Sequence, residues 1–140
     1  MTDALPVKTG DRAEYERTVT AEDIETFGRV TGDTNPLHRD PAYAAKTRFG
    51  EPIAHGMLCA GYISAVLGTK LAPNCCAVYL SQTLRVLRPV KIGDTIKAVA
   101  EVKGVDPEKR QYTLETVCYN QNGDPVVTGE AVILLDPVDR

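Results

Sequence analysis

The chain has 140 residues and a formal net charge of −3, which gives enough length for one domain with a substantial core and no general attraction for nucleic acid or anionic lipid. The opening MTDALPVKTGDR lacks an apolar signal core, and the most hydrophobic run, around Met57 to Leu67, is shorter than the roughly 20 residues that cross a bilayer. A soluble, cytoplasmic protein folded as a single domain over residues 1–140 is therefore expected, with neither a nucleic acid nor a membrane as partner.

In chain order, Arg12 to Val19 alternates moderately and reads as an edge strand. Thr20 with Asp23 then forms a helix start signal, and Ile24, Phe27 and Val30 recur at helical spacing up to Gly32. A glycine there suits the positive φ that often ends a helix. Asp33 thus falls on a loop, Gly-Asp-Thr-Asn-Pro-Leu-His, in which Pro36 restricts Asn35 to extended conformations and limits how far Asp33 and His38 can separate. Asp40 and Pro41 open a short helix read through DPAYAAKTRF, and Gly50 and Pro52 break the chain after it.

His55 to Leu67 is apolar almost all round, the pattern of a buried helix. Gly56, Ala60, Gly61 and Ser64 form a small-residue stripe on it, where a backbone or a ligand could come close; for Gly61, simple tolerance is the competing explanation. Beyond Pro73 the chain becomes extended: Ala77–Val90, Thr95–Val105, Gln111–Tyr119 and Val126–Leu135 are rich in strand formers and separated by turn residues. Helices early and antiparallel strands late predict an α+β fold, a sheet wrapped on one long helix.

The four cysteines, Cys59, Cys75, Cys76 and Cys118, make no C-x-x-C pair and have no histidine at ligand spacing. They read as reduced packing residues, and no metal site is expected.

Three motifs in sequence, Phe27 to His38 (FGRVTGDTNPLH), Pro52 to Leu58 (PIAHGML) and Leu87 to Asp94 (LRPVKIGD), together resemble the MaoC-like (R)-specific enoyl-CoA hydratases. That resemblance implies the hotdog fold, an acyl-CoA thioester as substrate, a homodimer or higher homo-oligomer, and a link to fatty acid metabolism and polyhydroxyalkanoate supply. It implies Asp33 as catalytic base, His38 as the group that helps hold and deprotonate a water, and the Gly56 amide as the oxyanion donor for the thioester oxygen. Ser64 would orient the site and Asn35 support the loop.

Hydration itself needs two proton-transfer groups and a place for enolate charge, so no cofactor is required. Each residue has a plainer reading beside this one. Asp33 suits a turn, His38 suits a structural role, and His55 suits capping or packing and stays outside the catalytic set. Arg85, Arg88 and Lys91 could meet nucleotide phosphates or simply be solvated. A hotdog thioesterase and a non-catalytic acyl-CoA-binding domain are the alternative functions.

Overall fold

A computed structural model describes residues 5–138, so the first four residues of the opening stretch lie outside it. The elements run β1 (Arg12–Thr18), α1 (Ala21–Thr31), α2 (Pro36–Arg39), α3 (Pro41–Ala44), α4 (Gly56–Ala65), β2 (Cys75–Gln82), β3 (Arg85–Val86), β4 (Thr95–Asp106), β5 (Gln111–Tyr119) and β6 (Pro125–Pro137). A π-helical turn, Val66–Lys70, extends α4. The sheet is antiparallel in the order β1-β4-β5-β6-β2, with β3 also paired to β6. Its curl around α4 is the hotdog arrangement, and the α+β expectation holds.

The strand period of two explains how this sheet makes a core. Ile96, Ala98, Ala100 and Val102 of β4, Tyr112, Leu114 and Cys118 of β5, and Ala131, Ile133 and Leu135 of β6 are all buried and join one cluster with Cys59, Ile63, Val66 and Leu67 of the α4 segment. Bulges between Tyr79 and Ser81 in β2 and between Val102 and Gly104 in β4 add local twist. The Cys118 thiol donates to the Cys59 carbonyl at 3.7 Å, seating α4 on β5. Among the described residues, no helix is long and apolar enough to cross a membrane.

The start of α1 follows the sequence closely. Thr20 Oγ1 accepts from the Asp23 amide at 3.1 Å while the Asp23 carboxylate accepts from the Thr20 amide, a complete capping box. Arg17 adds two bonds to the same carboxylate and holds its pKa below the usual range. At the far end Gly32 has φ of 81°, as expected.

Four expectations are corrected. The strand read as Ala77–Val90 is two, β2 and β3, both paired with β6 in one register across the break and interrupted at Thr83 and Leu84, where the Thr83 carbonyl packs so close to Gly129 that a Cβ there would overlap it. The helix read through Phe49 stops at Ala44. There Thr47 Oγ1 donates to the Ala44 carbonyl at 2.7 Å and accepts from the Phe49 amide at 3.2 Å, so a side chain takes over from helical bonding. Pro36 to Arg39 is a helical turn rather than an irregular loop, capped by Asn35 with Pro36 at its first position. Finally, α4 is not buried all round: Cys59, Tyr62 and Ile63 face the core, while Met57, Gly61 and Ser64 are exposed. No protein atom lies within 4 Å of a Cβ built on Gly61, so a close backbone neighbour does not account for that glycine.

Candidate active site

Asp33 is held by what precedes and follows it. The Gly32 amide closes α1 on the Gly28 carbonyl at 2.9 Å. Thr31 Oγ1, anchored on the Phe27 carbonyl at 2.7 Å, accepts from the Asp33 amide at 3.2 Å. On the other side the Asn35 amide donates to Asp33 Oδ1 at 3.3 Å, and Asn35 Oδ1 caps the Leu37 amide at 3.0 Å. Asn35 therefore holds both the carboxylate and the turn that carries His38. An Arg39–Glu25 ion pair at 3.0 Å ties α2 to α1, though an exposed pair contributes at most about 1 kcal/mol.

His38 is half-buried, and its Nδ1 lies 2.7 Å from the Ile53 carbonyl oxygen. A carbonyl only accepts, so Nδ1 carries the proton and Nε2 keeps its lone pair. His55 is 2% exposed, with Nε2 3.0 Å from the main-chain carbonyl of Asp33. By the same logic Nε2 donates there, leaving Nδ1 as an acceptor that is buried without a partner, an arrangement that costs about 1–3 kcal/mol. The His55 ring packs on Phe27 at 4.6 Å and on His38 at 3.9 Å between centroids.

One side-chain donor atom from each of Asp33, His38 and His55 lies within 4.8 Å of the other two. The group is poorly shaped for a metal. Each imidazole has one nitrogen on a carbonyl, and the two ring planes stack only 31° apart. Zinc would need donor atoms about 2.0–2.1 Å from it, and one nitrogen of each ring is already on a carbonyl.

A cavity of about 450 Å³ opens beside Asp33, bounded by Phe27, Thr31, Met57, Gly61 and Ser64. Of the residues expected at the site, Asp33 and Ser64 line it, while His38 is not in its wall but has a ring nitrogen within 4.8 Å of the Asp33 carboxylate. Gly56 and Asn35 are not part of its wall; Gly56 is the first residue of α4, next to Met57, and its amide is among those that intrahelical bonding leaves open. A larger cleft, about 710 Å³, lies across Phe27 between β1, α1 and α4. Its charged pair, Arg17 and Asp23, is committed to the start of α1, so the smaller cavity is where acid–base groups meet open space.

His55 is the residue that sequence reasoning left out. A histidine ending an extended segment ahead of an apolar helix has no distinctive spacing, and only the fold brings it 3.0 Å from the Asp33 carbonyl, 22 residues earlier in the chain.

Comparison with known proteins adds to this geometry. The family profile described as MaoC like domain matches residues 4–122. The (R)-specific enoyl-CoA hydratase of Rhodospirillum rubrum is 44% identical over 129 residues, covering 92% of this chain and 88% of that protein. The enzyme of the same name from Aeromonas caviae is 40% identical over 132 residues, covering 94% and 98%. Among solved structures, an R-hydratase of Pseudomonas aeruginosa in the unliganded form superimposes with a TM-score of 0.86 at 44% identity, covering 94% of this chain and 84% of that one. With most of its length matched by the family profile and by these relatives, the chain belongs to the MaoC-like domain family.

Proposed function

We propose that this chain is an (R)-specific enoyl-CoA hydratase, a single catalytic domain that adds water to trans-2-enoyl-CoA to give (R)-3-hydroxyacyl-CoA. The observation that carries the reading is the approach of Asp33 and His38 to within 4.8 Å beside an open cavity at the α4 side of the sheet. Relatives more than a third identical over nearly the whole chain carry the same activity in their names.

In this reading the His38 Nε2 lone pair holds the water and Asp33 takes its proton. The water oxygen bonds to the β carbon as the double-bond electrons move toward the thioester oxygen, which the Gly56 amide receives at the positive end of α4. The proton then passes from Asp33 to the α carbon on the same face, and the carboxylate is restored. Ser64 orients the substrate from the cavity wall, and Asn35 keeps the carboxylate aimed. The reaction needs no metal or organic cofactor.

The same reading makes the enzyme a cytoplasmic homodimer at least. Supporting it, β2 is the outermost strand of its edge and leaves Val78, Tyr79 and Leu80 42%, 39% and 47% exposed, a surface suited to strand pairing with a second copy. Sedimentation at assay concentration should show a dimer; an active monomer would contradict this part.

A panel of trans-2-enoyl-CoA thioesters of increasing length tests the activity through loss of the conjugated enoyl absorbance. Loss without release of free thiol is expected. Thiol release without hydration would make the chain a thioesterase, and no change with any thioester would favour a non-catalytic acyl-CoA-binding domain.

A further inference from the structure

We infer that His55 is a positioning residue for the hydration reaction: its Nε2–H fixes the main chain of Asp33. The inference rests on the catalytic reading of Asp33 and His38 given above.

A histidine supplies here what an apolar residue would not. The pocket between Phe27 and His38 accepts a ring, and a phenylalanine would fill it without leaving a buried, unpartnered Nδ1. The imidazole makes one hydrogen bond, to the Asp33 carbonyl at 3.0 Å. That bond is what the orphaned acceptor is tolerated for. The other bonds that hold Asp33, from its amide to Thr31 Oγ1 and from the Asn35 amide to its carboxylate, are exposed, so water competes for them. The His55 bond is the loop's tie to the interior.

The same carbonyl oxygen also lies close to Gly28 of α1. A Cβ built on Gly28 would lie 3.0 Å from it and 3.9 Å from His55 Cε1. The glycine thus leaves room for the Asp33 carbonyl and the His55 ring to meet beside α1, and any larger residue there would press on both.

One short segment, moreover, holds both the His38 ring and the main chain of Asp33. The Ile53 carbonyl accepts from His38 Nδ1 at 2.7 Å, and His55, two residues on, donates to Asp33. Between them, the Ala54 amide bonds the Val90 carbonyl at 2.7 Å, and Ile53 bridges to Lys91. The spacing between base and imidazole is thereby referred to the segment at Val90, which is buried in the core, instead of to the exposed loop. Displacing a reacting group by about 1 Å can cost on the order of a hundredfold in rate.

The test compares two variants in steady-state hydration of trans-2-butenoyl-CoA. His55→Phe keeps the ring and removes the donor; His55→Gln keeps an amide donor near the Nε2 position and removes the stack. We expect His55→Phe to lower kcat by about ten- to a hundredfold with KM changed less than about threefold and the thermal midpoint preserved. His55→Gln should recover most of the loss. A folded His55→Phe protein with wild-type kcat, a His55→Gln protein as slow as His55→Phe, or losses that follow the thermal midpoint would each overturn the inference.

Long-range proton–nitrogen NMR on the wild-type protein gives a readout that needs no turnover. His55 should show a protonated Nε2 and an unprotonated Nδ1; the opposite tautomer would remove the bond on which the inference stands. Asp33→Asn is assayed in parallel. If it keeps full activity, the catalytic reading of Asp33 has failed, while the NMR result still decides whether His55 anchors that loop.

Discussion

The two faces of α4 are made from similar residues and do different work. On one, Cys59 and Ile63 are each 1% exposed and lock the helix against the sheet. On the other, Met57 is 59% exposed, and Gly61 and Ser64 border the cavity beside Asp33. Polarity barely separates them, because the segment is apolar almost throughout. Side-chain size separates them in part: Tyr62 and Ile63 fill space on the core face, and Gly61 and Ser64 leave it open on the other, beside Met57. Stability and chemistry are thus divided between the faces of one helix, and substitutions should separate them.

The largest effect is expected on the core face. Ile63→Ala should cost about 2–5 kcal/mol of stability, seen in urea unfolding, while kcat per folded molecule stays close to wild type. A fall in kcat without loss of stability would blur the division. Next come Asp33→Asn and His38→Ala, each lowering the hydration rate by at least about a hundredfold with melting temperatures nearly unchanged. Near-normal turnover in either folded variant would remove that residue from the mechanism.

Gly28→Ala should fall between the classes. Alanine favours the interior of a helix by about 1 kcal/mol over glycine, yet its Cβ would press on the Asp33 carbonyl from 3.0 Å. We expect little change in stability and roughly a tenfold drop in kcat at similar KM, since only the base moves. The smallest effect belongs to the open face. Ser64→Ala should change stability by no more than about 0.5 kcal/mol and slow hydration roughly three- to tenfold, the scale of one hydrogen bond. A loss in thermal stability for Ser64→Ala would show that this face also carries packing.

Local signals explain which parts of the architecture could be read in advance. The capping box of Thr20 and Asp23 and the left-handed Gly32 depend on neighbours within a few residues, so the ends of α1 were legible. The four strand regions were legible from composition and turn residues. What escaped reading depends on distant partners. The break at Thr83 accompanies the close approach of its carbonyl to Gly129, far along the chain on β6. The early end of α3 turns on the choice Thr47 makes between solvent and the Ala44 carbonyl. The burial of one α4 face alone follows from where the sheet stops covering it. At the site, the five-residue step from Asp33 to His38 shows in the chain, but the Ile53 carbonyl that orients His38 and the His55 ring that meets both residues are contacts made only by folding.

Hydration of trans-2-butenoyl-CoA in deuterated water, with the product coupled to dehydrogenases specific for each hand, tests the central claim most directly. One water shared by Asp33 and His38 delivers hydroxide and proton to the same face of the double bond. The account predicts (R)-3-hydroxybutanoyl-CoA with deuterium syn to the new hydroxyl. Product oxidised only by the (S)-specific dehydrogenase, or deuterium placed anti, would contradict the shared-water mechanism even if hydration were fast.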